Sequence, residues 1–476
     1  MGKGMVKLRR DDALKLTMAL LSVFFFLFMA ATSDLRGKIL GVVFLALVIW
    51  SLYPKRHLES SIIIMVVLSL LQVSYSLDEF IGSLFSTYGG SGLWIIISGF
   101  VLAKAMEISG LARRIALWIT TSLGAHPETI IISVALANLA IAPLSPSTTA
   151  KAFLLLPICT SLVDAYEVEK GQSNYGAAVM LMAMAANNIC STAFLTATVP
   201  NPISAGYIGE SSSLNLDWIN WLRMALPLTL ILLAASWFIC VRMFRPEVKK
   251  THQSLEHIRE LRVGLGPLTR EEWTVALFFL AALILWITDG LHPYNAGLLS
   301  LVLSIALFIP GIGVMEVGGF TGEVPWGSIV LFAASMFLSK AVGRWRALDP
   351  VAELVFGVLN LSELETAPFV ALVVLVSMLL HVAFTSTTVY ATVMVPLAIS
   401  LGQLVRLAPQ LMALPVAFLT PVAVILPVNT IPNIIFHSSG HFSETQMIEY
   451  GLVVSVISVI TVLLVGLPYW RLLGYF

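Results

Sequence analysis

The sequence predicts an all-α polytopic membrane protein built as an inverted repeat, with about 11 transmembrane helices plus two re-entrant helical hairpins. Three observations carry this expectation. Of the 476 residues, 58% are hydrophobic and only 11% charged, against about 25% charged in a soluble domain. Apolar runs of spanning length recur along the whole chain. A Ser-Thr-Thr motif occurs twice, each time where such a run is interrupted.

A spanning helix needs roughly 20 mostly apolar residues. Runs of this kind lie at 13–31, 39–53 (short), 60–77 and 93–108. The first follows Lys7, Arg9 and Arg10 but shows no small-residue cleavage site, so it reads as an uncleaved helix. A long stretch over 127–163 is interrupted at 143–149. Runs at 175–190, 221–243, 273–290, 296–309 and 328–342 follow. A second interrupted stretch covers 368–401, and runs at 411–427 and 450–473 close the chain. Irregular backbone at membrane depth is tolerated only where protein or a water-filled cavity covers it. A hairpin that enters and returns satisfies that condition; two ordinary spans joined by an external loop are the alternative.

Lys and Arg set the orientation. The N-terminus carries Lys3, Lys7, Arg9 and Arg10, and the polar segment 245–270 carries Arg245, Lys249, Lys250, Arg259, Arg262 and Arg270. Both are expected on the cytoplasmic side, with the C-terminus outside. Arg36, Lys38, Arg344 and Arg346 then fall on the outer side, against the rule. The organisation expected is N-terminal helices over 1–92, a first repeat over 93–244, a cytoplasmic linker over 245–270 and a second repeat over 271–476. The first repeat contains hairpin 127–163 and broken helix 175–205, the second hairpin 368–401 and broken helix 411–436.

The repeat is visible as text. Residues 147–157 read S-T-T-A-K-A-F-L-L-L-P and residues 386–396 read S-T-T-V-Y-A-T-V-M-V-P. Upstream, Phe100-Val-Leu-Ala-Lys104-Ala matches Phe337-Leu-Ser-Lys340-Ala. Downstream, Thr198-Val-Pro200-Asn201 matches Thr430-Ile-Pro432-Asn433. About five crossings separate equivalent points, and an odd number inverts the second copy.

Each break exposes backbone N–H groups at one new helix end and carbonyls at the other. The N–H end favours an anion, the carbonyls and hydroxyls a small cation. Candidate substrate-binding residues are therefore Ser147, Thr148, Thr149, Ser386, Thr387, Thr388, Asn429 and Thr430. Thr198, Pro200, Asn201, Pro432 and Asn433 shape the broken-helix loops, since proline removes a donor and keeps a break open. For any single hydroxyl, packing between helices is the blander reading; the paired motifs favour a site. Lys151, two positions after the first motif, either compensates anion charge in place of a sodium ion or snorkels to water. His381 reads as a satisfied interior histidine. No cofactor is expected apart from an optional sodium ion, for which Ser147, Thr148, Ser386, Thr387 and Asn429 are the candidate ligands.

Net charge is zero, so nothing argues for nucleic acid as a partner. The cysteines Cys159, Cys190 and Cys240 show no disulfide or metal spacing. No nucleotide-binding loop or hydrolase motif stands out, which disfavours an enzyme or a primary pump. The expected partners are a small anionic substrate and the lipid bilayer.

These landmarks resemble the divalent anion:sodium symporter family of the ion transporter superfamily. That family carries two Ser-Asn-Thr motifs at hairpin tips, where this chain has Ser147-Thr148-Thr149 and Ser386-Thr387-Thr388. Leu426-Pro-Val-Asn429-Thr-Ile-Pro432-Asn433 resembles its second broken-helix signature, and Asn188-Ile-Cys190-Ser-Thr-Ala-Phe-Leu-Thr196 resembles the branch of citrate/succinate and oxoglutarate/malate exchangers. The resemblance implies a homodimer with a scaffold, which includes the N-terminal helices, and a transport domain that moves as an elevator. It implies divalent or trivalent organic anions, or sulfate, as substrates. Threonine replaces asparagine in both motifs and Lys151 is basic, so the sequence leans to anion exchange of di- or tricarboxylates. Sodium-coupled symport is the runner-up, and a channel is the alternative of another class.

Overall fold

The computed structural model describes residues 10–53, 56–74, 76–89, 91–212, 214–249, 252–292, 294–316, 325–358 and 364–476. Lys3, Lys7, Arg9 and Lys250, which enter the charge argument, lie outside them. Among the described residues all regular structure is helical. The first half comprises α1 (Arg10–Thr32), α2 (Leu35–Leu52), α3 (His57–Val73), α4 (Leu77–Gly89), α5 (Ser91–Ser109), α6 (Leu111–Ser122), α7 (Pro127–Ile141), α8 (Thr148–Asp164), α9 (Asn174–Cys190), α10 (Pro200–Ser211) and α11 (Trp218–Met243). The linker holds α12 (His252–Val263). The second half comprises α13 (Arg270–Ile287), α14 (Ala296–Ala306), α15 (Trp326–Trp345), α16 (Asp349–Val358), α17 (Thr366–Leu380), α18 (Thr387–Leu404), α19 (Pro409–Leu419), α20 (Ile431–His437) and α21 (Glu444–Thr461). A π-helical turn, Val462–Gly466, joins α21 to α22 (Leu467–Leu472).

Nine helical segments among the described residues are long and apolar enough to cross a membrane. They include both arms of the second hairpin, Thr366–Ala383 and Thr387–Leu404, and the first arm of the other, Pro127–Leu144. Four expected crossings fall on shorter helices: His57–Val73, Asn174–Cys190, Ala296–Ala306 and Pro409–Leu419. Helices α6 and α16 were not expected at all. Each follows a left-handed turn, at Gly110 and Arg346, and is too short to span. Leu111, Ala112, Ala116 and Leu117 of α6 face the protein while Arg113 and Trp118 face out. Such an amphipathic face lacks the continuous apolar run by which a span is recognised.

The halves match helix for helix from α5–α11 to α15–α21, and their packing is reciprocal. Helix α5 packs on α13 and α14 of the second half, while α15 packs on α2 and α3 of the first. The repeat therefore reaches back upstream of the boundary expected at 93. Equivalent helices run antiparallel: Gly92, at the start of α5, faces Phe332 within α15. Further along α5, Phe100 and Glu107 share a cavity with Pro325, which precedes α15. This is the register of an inverted repeat.

The core is densest around α9, where every residue from Tyr175 to Cys190 is buried. A helix apolar on all sides and buried throughout sits inside the bundle rather than against lipid. Helix α1 is the opposite case, with Leu20, Phe24 and Leu27 all exposed.

Candidate functional site

Both Ser-Thr-Thr motifs start a helix. Ser147 has extended backbone and its hydroxyl accepts from Ala150 N at 3.1 Å. Ser386 does the same for Val389 N at 3.4 Å. Serine is favoured here because its oxygen satisfies a first-turn N–H that no carbonyl reaches. Each capping hydroxyl keeps its own proton to donate. All six motif residues, Ser147 to Thr149 and Ser386 to Thr388, are half-buried. Each tip thus offers hydroxyls and the positive end of a helix at one point.

The broken helices are closed by equivalent asparagines. Asn201 Nδ2 donates to the carbonyls of Ser191 and Phe194, ten and seven residues upstream, at 2.7 and 2.8 Å. Asn433 Nδ2 donates to Ala423 and Leu426, at the same two separations, at 2.7 and 2.9 Å. Thr198 and Thr430 hold matching extended conformations just before them, and Pro200 and Pro432 occupy the first turn of α10 and α20. Proline fits there because that N–H would have no intrahelical acceptor. Replacing Asn201 or Asn433 by alanine should each remove about 1–3 kcal/mol of stability, since one buried and one half-buried carbonyl lose their donor. Thermal denaturation in detergent reads this out: both variants should melt lower than wild type, and an unchanged midpoint in either would count against the clamp.

Further asparagines brace the breaks and the tips, one of them across the two halves. Asn188 Nδ2 donates to Asn433 Oδ1 at 2.9 Å, linking one break to the other. Asn187 Nδ2 donates to the Thr148 carbonyl at 2.9 Å, fixing the first tip. Asn429 is buried, and its Nδ2 donates to the carbonyls of His381, Val382 and Phe384 while its Oδ1 accepts from Leu426 N. In this conformation its amide is used at both ends to fix the second tip. Thr430 is also buried, and its hydroxyl has no hydrogen-bond partner among the described residues.

At the equivalent place in the first half, Lys151 makes the tie. It is 3% exposed, and its Nζ donates to Ser191 Oγ at 2.9 Å and to the Ala197 carbonyl at 3.0 Å. Neither partner carries charge. Its counterpart Tyr390 instead donates to the Ser377 carbonyl at 2.8 Å and packs on His381 and Phe384. His381 Nε2 lies 2.8 Å from the Thr420 carbonyl, which makes it a satisfied interior histidine.

A cavity of about 720 Å³ opens at the first tip. Ser147, Thr149 and Lys151 line it together with Lys104, Arg113 and Leu261 of the linker helix. Ser386, Thr387 and Thr388 do not line it; the bond that crosses between the halves here is Asn188 to Asn433. Asn187 is a site residue that the sequence did not single out, whereas Ser191 begins one of the four loops (145–149, 191–201, 384–388 and 427–433) whose hydroxyls mark likely helix breaks. The available signal was two adjacent asparagines on an otherwise apolar buried helix, a placement that is costly in a membrane protein. Among the described residues no group of three or more His, Cys, Asp or Glu is placed to hold a metal ion.

The family described as the sodium:sulfate symporter transmembrane region matches residues 11–476. The chain belongs to this family. Among its relatives is a membrane protein of Cupriavidus necator, 24% identical over 454 residues, with 92% of this chain and 88% of the relative covered. A citrate/succinate antiporter of Escherichia coli K12 is 23% identical over 389 residues, covering 80% and 79%. A sodium-dependent dicarboxylate transporter, SdcS, of Staphylococcus saprophyticus is 26% identical over 452 residues, covering 89% and 85%. Among solved structures, the YdaH transporter of Alcanivorax borkumensis superposes with a TM-score of 0.54 at 13% identity, covering 98% of this chain and 99% of that one. That likeness supports the polytopic helical fold of this member of the sodium:sulfate symporter family.

Proposed function

We propose that this chain is a secondary active carrier of di- and tricarboxylates that works by anion exchange. The observation that carries this reading is Lys151, an interior cation one turn from the first tip, lining the cavity beside Ser147 and Thr149. A buried charge in a membrane protein is costly and marks function. With uncharged hydrogen-bond partners, the ammonium acts on an anion held at the tip, where a coupling sodium ion would otherwise be needed. Ser147, Thr148, Thr149 and their counterparts Ser386, Thr387 and Thr388 supply hydroxyl and N–H donors to the carboxylates. Asn429 and Lys151 position the two tips. Relatives named for citrate/succinate antiport and for dicarboxylate transport support the substrate class.

In this proposal the N-terminus and the linker lie on the cytoplasmic side of the cell membrane and the C-terminus lies outside. The carrier is a homodimer, and the hairpins and broken helices move together as an elevator. The cavity, which reaches Leu261 of the linker, is then the cytoplasmic entrance.

Counterflow in proteoliposomes tests the reading. Labelled succinate or malate should accumulate against preloaded unlabelled anion with sodium absent. Uptake that requires sodium supports the second reading, sodium-coupled symport. That reading is favoured by the relative named as sodium-dependent and by the hydroxyls at Ser147, Thr148, Ser386 and Thr387, which suit a hard cation. Passive equilibration without accumulation would indicate a channel. Thr149→Ala and Thr388→Ala should each weaken succinate affinity about tenfold or more, the worth of a hydrogen bond to a charged group. Titrated KM values check this, and unchanged affinity in both would refute the assignment of the tips.

A further inference from the structure

A second cavity, of about 840 Å³, lies where the inverted repeat would place the counterpart of the first. Pro157 and Ser161 of α8 line the first cavity with Lys104 of α5, and Pro396 and Ser400 of α18 line the second with Lys340 of α15. Because α5 and α15 run antiparallel, the second cavity opens at the end of α15 away from the linker. It is basic: among the described residues Lys340, Arg344, Arg346 and Arg406 line it with Glu210 and Asp349. Lys340 Nζ lies 3.9 Å from Glu210 Oε1, and Arg346 Nε lies 2.6 Å from Asp349 Oδ2. Arg344, Arg346 and Arg406 are exposed.

Two features set these arginines apart from structural turns. First, Arg346 and Arg406 hold left-handed backbone, with φ of 49° and 58°. The equivalent positions of the first repeat are Gly110 (φ 79°) and Glu167 (φ 52°). Left-handed backbone is strained for any side chain, and glycine takes it at no steric cost. At 346 arginine thus stands where the first repeat has glycine, whereas the left-handed turn at 406 is common to both repeats and holds a charged side chain in each. Second, Arg344 and Arg346 break the charge rule for the side away from the linker. In the orientation proposed above, that face carries cations the charge rule does not call for.

We propose that Lys340, Arg344, Arg346 and Arg406 form an anion-collecting vestibule, which holds a di- or tricarboxylate loosely on the face away from the linker before it reaches the hairpin tips. The proposal rests on the carrier reading above and adds a site to it. A concave surface lined by one sign of charge raises the local concentration of the opposite sign and speeds its capture.

The test uses full-length protein in proteoliposomes sorted by protease accessibility of the linker, with labelled succinate presented to one face at a time. The variant is Arg344→Gln/Arg406→Gln. Its KM from the vestibule face should rise about three- to tenfold at low salt. The difference should shrink as salt shortens the Debye length to about 3 Å at 1 M. The maximal rate, and KM from the linker face, should match wild type. Arg406→Gly serves as the folding control: it relieves the left-handed strain, so it should be at least as stable as wild type while still raising KM on that face. Unchanged KM, an equal rise on both faces, or a rise insensitive to salt would overturn the vestibule and leave the arginines as local ion pairs. Wild-type protein with no succinate counterflow would defeat the carrier reading itself, and the vestibule with it.

Discussion

Arg114→Met should destabilise the protein by about 3–5 kcal/mol, the cost of removing one partner from a buried ion pair. Arg114, on α6, donates from Nε to Glu272 Oε1 at 2.6 Å, with side chains only 17% and 5% exposed. Its other nitrogens donate to the carbonyls of Leu265, Gly266 and Pro267 at the end of the linker. Glu272 is itself committed, accepting from Thr269 N in a capping box that starts α13. Methionine would fill much of the volume but leave a buried carboxylate and three carbonyls without this donor. Denaturation of the purified protein in detergent measures the loss. The double variant Arg114→Met/Glu272→Met should recover a large part of it, because no uncompensated charge then remains. A loss near 1 kcal/mol in the single variant would show that α6 is not anchored to the second half through this pair.

Lys151→Met is the largest functional lesion expected: exchange should fall about 10–100-fold, the worth of a charged hydrogen-bonding group to the bound state. The substitution also strips the donor from the Ser191 hydroxyl and the Ala197 carbonyl, so Lys151→Arg is the necessary companion. Arginine keeps the charge but brings a planar fork into a space shaped for a compact ammonium, so partial activity is expected. Transport in sodium-free proteoliposomes is the readout. Sodium-dependent uptake that is indifferent to Lys151→Met would remove the fixed-charge argument.

Much of the plan was legible in the chain because it lies in short-range chemistry. Ser147 and Ser386 cap helices, and such a cap is a local pattern of a hydroxyl before a helical run. The Thr-x-Pro-Asn pairs at 198–201 and 430–433 are likewise local, and their geometry repeats bond for bond. What was not legible depends on distance. Nothing at Asn433 names Asn188 as its partner, 245 positions away. The sequence shows Asn429 as polar but not that both ends of its amide are spent on the hairpin tip. Lys151 read as either a site residue or a snorkelling one, and only the fold shows its Nζ turned inward to Ser191 and Ala197. The reciprocal packing of α2 and α3 on α15, and of α13 and α14 on α5, escaped because those helices carry no shared motif, only apolar surface.

A density map of the protein in lipid nanodiscs with saturating succinate would show whether the two Ser-Thr-Thr tips hold the anion. A dicarboxylate should lie at the hairpin tips, one carboxylate against the Ser147–Thr149 donors with Lys151 nearby and the other toward Ser386–Thr388. Succinate seated elsewhere, with both Ser-Thr-Thr turns facing bulk water or lipid, would contradict it.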